Sequence, residues 1–257
     1  MLHTDFDPER KAFINPEDVV HPVEGMPELL VGMFSKDVVD AYVQELGGVQ
    51  IAVRKSVCGD MPVWRCTWRD GTVFALVSMP LGGPAASGVI EEGLPMGAKK
   101  FLMVGCCGAL DHSITAGHLL VPEAAVRDEG TSYHYLPPAD EVALDADAIQ
   151  ALCDALAEQG VPYVRTKTWT TDAFYRETAA KIAKNKARGC AVVEMECASM
   201  AAVAKFRGVS FAQLLWAADS LAGEEWDTRN LGDHGMSAAE LYFSTAIAAL
   251  KKFPAKI

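Results

Sequence analysis

The sequence has no Cys-x-x-Cys pair, no run of basic residues, no long apolar stretch and no internal repeat, and each absence removes a class of function. The seven cysteines, Cys58, Cys66, Cys106, Cys107, Cys153, Cys190 and Cys197, are odd in number and scattered, so they read as reduced thiols rather than a disulfide framework or a zinc site. His112, His118, His134 and His234 have no metal-ligand spacing, and no metal is expected. A formal charge of −11 without a basic cluster argues against nucleic acid as a partner. No segment has the length of a bilayer span, and the first residues, with Asp5, Asp7 and Glu9 among Arg10 and Lys11, show no signal-peptide core. A cytoplasmic protein with no membrane partner is expected.

What is present is a chain of 257 residues, half of them hydrophobic, with no compositional break, which reads as a single domain over 1–257. Short β-rich runs alternate with helical patterns, and several runs are apolar throughout, as strands covered on both faces are. The fold class expected is α/β, a three-layer αβα sandwich around a central mixed sheet. The antiparallel part is read at Val63 to Trp68 and Thr72 to Met79, joined by Arg69-Asp70-Gly71. Ser87 is a candidate N-cap for a helix reaching Gly93. Lys100 to Val104 reads as a strand running into a tight turn, Gly105-Cys106-Cys107-Gly108, which would approach a ligand. Further strands are expected at His118 to Pro122, Val164 to Trp169, Ala191 to Met195 and Val209 to Ala218. Helices are expected at Asp147 to Gln159, Cys197 to Phe206 and Ala238 to Lys252.

Gly105 to Gly108, Glu194-Met195-Glu196 and Asp219 all fall at or just past strand ends, where open α/β sheets bind ligands. A Rossmann-type nucleotide site does not fit, because the glycine turn lacks the third glycine and the downstream ribose acid.

The blocks Ser78 to Ser87, Gly97 to Leu110, Val126 to His134, Thr171-Asp172-Ala173-Phe174-Tyr175 and Val193 to Glu196 together resemble the nucleoside phosphorylase superfamily, specifically uridine phosphorylases and hexameric purine nucleoside phosphorylases. The resemblance covers roughly residues 50 to 220 and implies a phosphorylase/hydrolase-like fold that cleaves the bond between a base and its ribose. It places Glu194, Met195 and Glu196 at the ribose, with Glu196 taking hydrogen bonds from the hydroxyls. Phe174 would stack on the base, and Cys107 and Gly108 would meet its edge through the backbone. Asp219 aligns with the acid that protonates the departing base in purine phosphorylases, and Asp219-Ser220 replaces the Asn-Arg pair of uridine phosphorylases, which favours a purine.

The family's phosphate arginines have no counterpart. Its Gly-Asp-Pro-x-Arg loop falls near Gly32 to Val39, and its second arginine position is Met103. Ser35, Lys36, Arg54, Lys55 and Cys106 are the available substitutes on the phosphate or nucleophile side, Arg54 or Lys55 lying where the family lends a basic residue across a dimer. His21 or His3 is the candidate for the neighbour's contact to the sugar's 5′ end. The resemblance implies a pentosyltransferase of purine salvage, a homodimer or homohexamer, with no cofactor and with inorganic phosphate as co-substrate. Two other readings stay open: a nucleosidase that uses water, and a non-catalytic nucleoside-binding protein.

Overall fold

The computed structural model describes residues 6–256; His3 lies outside them. In chain order the elements are α1 (Pro16–Val19), β1 (Leu29–Met33), α2 (Lys36–Glu45), β2 (Val49–Arg54), β3 (Met61–Thr67), β4 (Val73–Ser78), α3 (Gly83–Met96), β5 (Lys100–Ala109), β6 (Leu119–Asp128), β7 (Glu141–Ala143), α4 (Ala146–Glu158), β8 (Tyr163–Thr171), α5 (Ala179–Ala187), β9 (Cys190–Glu194), α6 (Cys197–Arg207), β10 (Ser210–Ser220) and α7 (Ala239–Lys252). None of these helices is long and apolar enough to cross a membrane.

One mixed sheet holds all ten strands, with the helices around it, as the sequence led us to expect. Its order is β10-β6-β8-β9-β5-β1-β4-β3-β2, and β7 pairs with β6. The hairpin of β3 and β4 is antiparallel, while β1 runs parallel to both β4 and β5. Strand β10 pairs in parallel along the whole of β5 and also meets β6, so β5, β10, β6, β8 and β9 close on themselves. The wholly apolar look of β5 and β10 follows: Phe101 to Val104 and Phe211 to Ala218 are buried almost throughout.

Three local expectations are corrected. Helix α3 begins at Gly83, four residues before Ser87; Ser87 is buried within the helix and caps nothing. Gly105 to Gly108 is no turn, because β5 runs through it to Ala109. The glycines are needed for close approach instead. A Cβ on Gly105 would stand 2.9 Å from the Phe34 ring, and one on Gly108 would stand 2.6 Å from Leu221 and 3.3 Å from the Asp219 carboxyl. The stretch Gly32 to Val39, expected as a loop, is instead the end of β1, a two-residue connection and the first turn of α2. Ser35 caps that helix, its hydroxyl accepting from the Val38 N–H at 3.4 Å.

Candidate active site

The ends of β1, β4, β5, β9 and β10 and the connection after β8 surround a cavity of about 730 Å3. Its wall brings together Ser35, Lys36, Cys106, Cys107, Gly108, Phe174, Glu194, Met195, Glu196 and Asp219, all singled out from sequence. Arg54, Lys55 and His21 are not on it.

The turn between β9 and α6 sets the two glutamates in different states. Glu194 is buried, and its carboxylate accepts from the backbone N–H groups of Glu196 at 2.7 Å and Cys197 at 2.6 Å, and from the hydroxyls of Thr170 at 2.6 Å and Thr168 at 3.2 Å. It therefore caps the first turn of α6, where unpaired N–H groups and the helix dipole favour an anion. Burial raises its pKa and these four donors oppose the rise. Glu196 is less well supplied: the Gly82 N–H donates to it at 2.7 Å, and the Met195 backbone adds a second donor. Burial, and then the neighbouring Glu194, push its carboxyl up to about 8. A polyol donating two hydroxyls to Glu196 would supply the missing partners and restore its charged form.

Asp219 sits where the register of β10 against β5 shifts between Ala217 and Asp219, opposite Gly108. Beyond it the chain folds back, with Ser220 and Asp227 exchanging backbone hydrogen bonds at 2.8 and 3.0 Å, so that Trp226 returns over the site. The Trp226 indole N–H donates to Asp219 Oδ2 at 2.7 Å. Burial raises the Asp219 pKa, while the indole and Arg229 oppose it. Phe174 and Tyr175 follow β8, with ring centroids 3.9 Å apart, and Phe174 is half-exposed to the cavity. Burial pushes the Cys106 thiol up to about 11, with Asp219 and Glu196 adding to it, so it is a neutral group there. The Cys107 thiol points to the Trp216 carbonyl at 3.5 Å, leaving its backbone toward the cavity.

The far end of the cavity is poor in positive charge. Lys36 is the one basic residue on the wall among the described residues, and it is exposed and paired with Asp40. Arg54 lies buried at the end of β2, its guanidinium donating to Glu92 at 2.7 Å, and Gly88 of α3 is its neighbour. Lys55 and His21 are exposed. Met103 is wholly buried, and its sulfur occupies the space a Cβ on Gly32 would need, at 2.2 Å. Sequence reasoning missed Gln213, a buried amide on the cavity wall whose carbonyl oxygen has no hydrogen bond. The signal was its position as the one polar side chain in the middle of the apolar run from Val209 to Ala218. The bond from Trp226 to Asp219 depends on the chain reversal after β10.

The model of the phosphorylase superfamily matches residues 29–251, and the chain belongs to that family. A uridine phosphorylase of Thermococcus kodakarensis is 37% identical over 105 residues, covering 41% of this chain and 38% of that protein. A guanosine phosphorylase of Halorubrum lacusprofundi is 30% identical over 140 residues, 54% of this chain and 58% of that protein. The chain thus matches well under two thirds of the length of either relative. A purine nucleoside phosphorylase of Toxoplasma gondii has the same fold, with a TM-score of 0.76 at 22% identity over 90% of this chain and 95% of that one.

Proposed function

We propose that the chain cleaves the N-glycosidic bond of a purine nucleoside by phosphorolysis, releasing free base and ribose 1-phosphate. The observation that carries this reading is that Glu196, Asp219 and Phe174 all line one cavity. Breaking the bond leaves electrons on the base and positive charge on the sugar. Asp219, its pKa raised by burial, donates a proton or hydrogen bond to the base nitrogen as that charge arrives, and the Trp226 indole then stabilises the carboxylate left behind. Glu196 holds the ribose hydroxyls, Met195 packs on the sugar, and Phe174 holds the base, so the anomeric carbon is fixed toward the nucleophile. Glu194 keeps the turn bearing Glu196 in place. Phosphate enters beside the first turn of α2, with Ser35 and Lys36, and its oxygen bonds to the anomeric carbon as the base leaves. That the relatives are a uridine phosphorylase and a guanosine phosphorylase supports phosphate as the acceptor. The reading includes a homodimer or homohexamer in which Arg54, Lys55 or His21, all off the cavity wall, serve a neighbouring copy.

One observation favours a second reading, hydrolysis. A phosphate dianion would share this cavity with Glu177, Glu194, Glu196 and Asp219 against Lys36 alone, and each missing charge-assisted hydrogen bond forfeits about 1.5–3 kcal/mol. The test is to incubate the protein with purine and pyrimidine nucleosides, with and without phosphate, and to identify the sugar. Ribose 1-phosphate formed only with phosphate supports phosphorolysis, and free ribose at the same rate in both conditions establishes hydrolysis. No cleavage of any nucleoside defeats both and leaves a binding protein.

A further inference from the structure

Outside the cavity described above, α5 carries a polar stripe that its own neighbours do not satisfy. Lys181, Lys184, Asn185 and Arg188 stand at i, i+3, i+4 and i+7, so they share one side of the helix and its C-terminal cap. With Arg127 and Asp128 at the end of β6, and Asp140 just before β7, they line a second cavity of about 190 Å3 that shares no residue with the first.

Asn185 is the one buried residue of α5, only 3% exposed, and its side chain has no hydrogen bond among the described residues. Its carbonyl oxygen is sealed off without a partner, while its amide nitrogen, equally unpartnered, opens to the cavity it lines. Arg127 is buried as well, and no carboxylate accepts from it. Its guanidinium donates to the Ser132 hydroxyl at 2.7 Å and to the carbonyls of Pro137 at 2.8 Å and Leu136 at 3.3 Å, which leaves a further N–H on each terminal nitrogen. Burial works against its charge, with Tyr133 and Glu129 opposing. Lys184 is exposed and has neither an ion pair nor a hydrogen bond among the described residues. The two acids of the wall are already matched: Asp128 accepts from Lys181 and from the Trp169 indole at 3.0 Å each, and Asp140 pairs with Arg188 at 3.0 Å.

The groups left over are therefore all donors, a guanidinium, an amide and an ammonium. Four cations stand against two carboxylates on this wall, so the complement is negative. A carboxylate would bring two oxygens in one plane, whereas a tetrahedral oxyanion brings more and spreads them, enough to meet all three donors at once. We propose that this cavity is a second ligand site, taking a phosphate-type oxyanion either free or as the phosphoryl group of a monoester. Arg127 and the Asn185 amide hold the oxyanion inside the cavity, and Lys184 meets it from the exposed side. The Lys181–Asp128 and Arg188–Asp140 pairs keep the two carboxylates of the wall neutralised beside it. A buried amide and a buried guanidinium both gain from a ligand that supplies the acceptors they lack.

The experiment is calorimetric titration of inorganic phosphate and of acetate, at low ionic strength and without nucleoside, into the wild-type protein, Lys184→Glu, Asn185→Leu and Lys36→Ala. Lys184→Glu reverses an exposed, unpaired charge and keeps the fold. Asn185→Leu keeps the size of the buried side chain while removing its unpartnered atoms, so it should melt no lower than the wild type. Lys184→Glu and Asn185→Leu should each weaken one component of phosphate binding about tenfold or more, and Lys36→Ala, which alters the first cavity, should leave that component within about twofold. Glycerol 3-phosphate that displaces phosphate from the Lys184-dependent site supports the monoester form of the ligand, and failure to displace it supports the free ion. Phosphate binding that is unchanged in folded Lys184→Glu, or that disappears altogether in Lys36→Ala, overturns the proposal and leaves the reading of the first cavity standing. Acetate binding as tightly as phosphate, or a wild-type protein that takes up no phosphate, also overturns it.

Discussion

The two ends of the cavity are built to different standards. At the β9 and β10 end, each group has a place fixed by hydrogen bonds: Glu194 is held by four donors, Glu196 by the Gly82 N–H and Asp219 by the Trp226 indole. At the α2 end there is a helix start, one hydroxyl and an exposed lysine already paired with Asp40. The same chain thus places buried, hydrogen-bonded carboxyls at the end proposed for the sugar and base and leaves the end proposed for the nucleophile thinly furnished. Tightly held groups contribute most where geometry must be fixed before reaction, so on the proposed reading the nucleoside's place is set by the protein's own hydrogen bonds and the acceptor's is not.

Substitution at the well-built end should do the most damage. Glu196→Gln removes the charged acceptor for two ribose hydroxyls and should lower kcat/KM by about 1,000-fold, two such bonds amounting to roughly 3–6 kcal/mol. A loss under tenfold would show that the sugar is held elsewhere. The same variant reads out in stability. The Glu196 carboxyl is raised in the folded protein from 4.5 to about 8, so folding disfavours its ionisation. The contribution of the neutral form is complete below pH 4.5 and is lost as pH climbs toward 8, because the unfolded chain ionises first. Wild-type Tm should therefore fall relative to Glu196→Gln between pH 5 and 8; parallel melting curves across that range would contradict the buried, raised carboxyl.

Next in size is Asp219→Asn, which keeps the shape and removes the acid. Cleavage of purine nucleosides should drop about 100-fold, at the lower end of what a positioned acid supplies, and pyrimidine cleavage should drop less. Equal losses for both classes would remove the role of Asp219 at the purine nitrogen. The smallest effect belongs to the sparse end. Lys36→Ala should raise KM for phosphate about tenfold with kcat nearly unchanged, in line with one exposed charge. Insensitivity to the substitution would turn the contrast between the ends into an argument for water.

Much of the well-built end was legible in the sequence, because its residues follow long apolar strands and strand ends are recognisable from hydrophobic runs. Glu194, Met195, Glu196 and Asp219 were found that way and do meet in one cavity. Only the resemblance set Glu196 apart from Glu194; the physical basis of the difference, Thr168 and Thr170 arriving from the neighbouring strand β8, was not legible in the residues. Gly105 and Gly108 were misread as a turn for a related reason: what forbids a side chain there is Phe34 and Leu221 crossing from distant segments. Helix α2 went unread although Ser35, Asp37 and the buried Val38, Val39 and Tyr42 spell a capped amphipathic helix.

Strand β5 carries a consequence for how the molecule is made. Its first half can pair with β1 as soon as Val104 is available, whereas Gly105 to Ala109 find partners only in β9 and β10, synthesised far later. Loop closure over such separations is slow, so the nascent chain holds an unmatched strand edge, Gly-Cys-Cys-Gly-Ala, through much of translation. The cavity is accordingly among the last parts to come into being, and until β9 and β10 arrive that edge is the segment most open to aggregation.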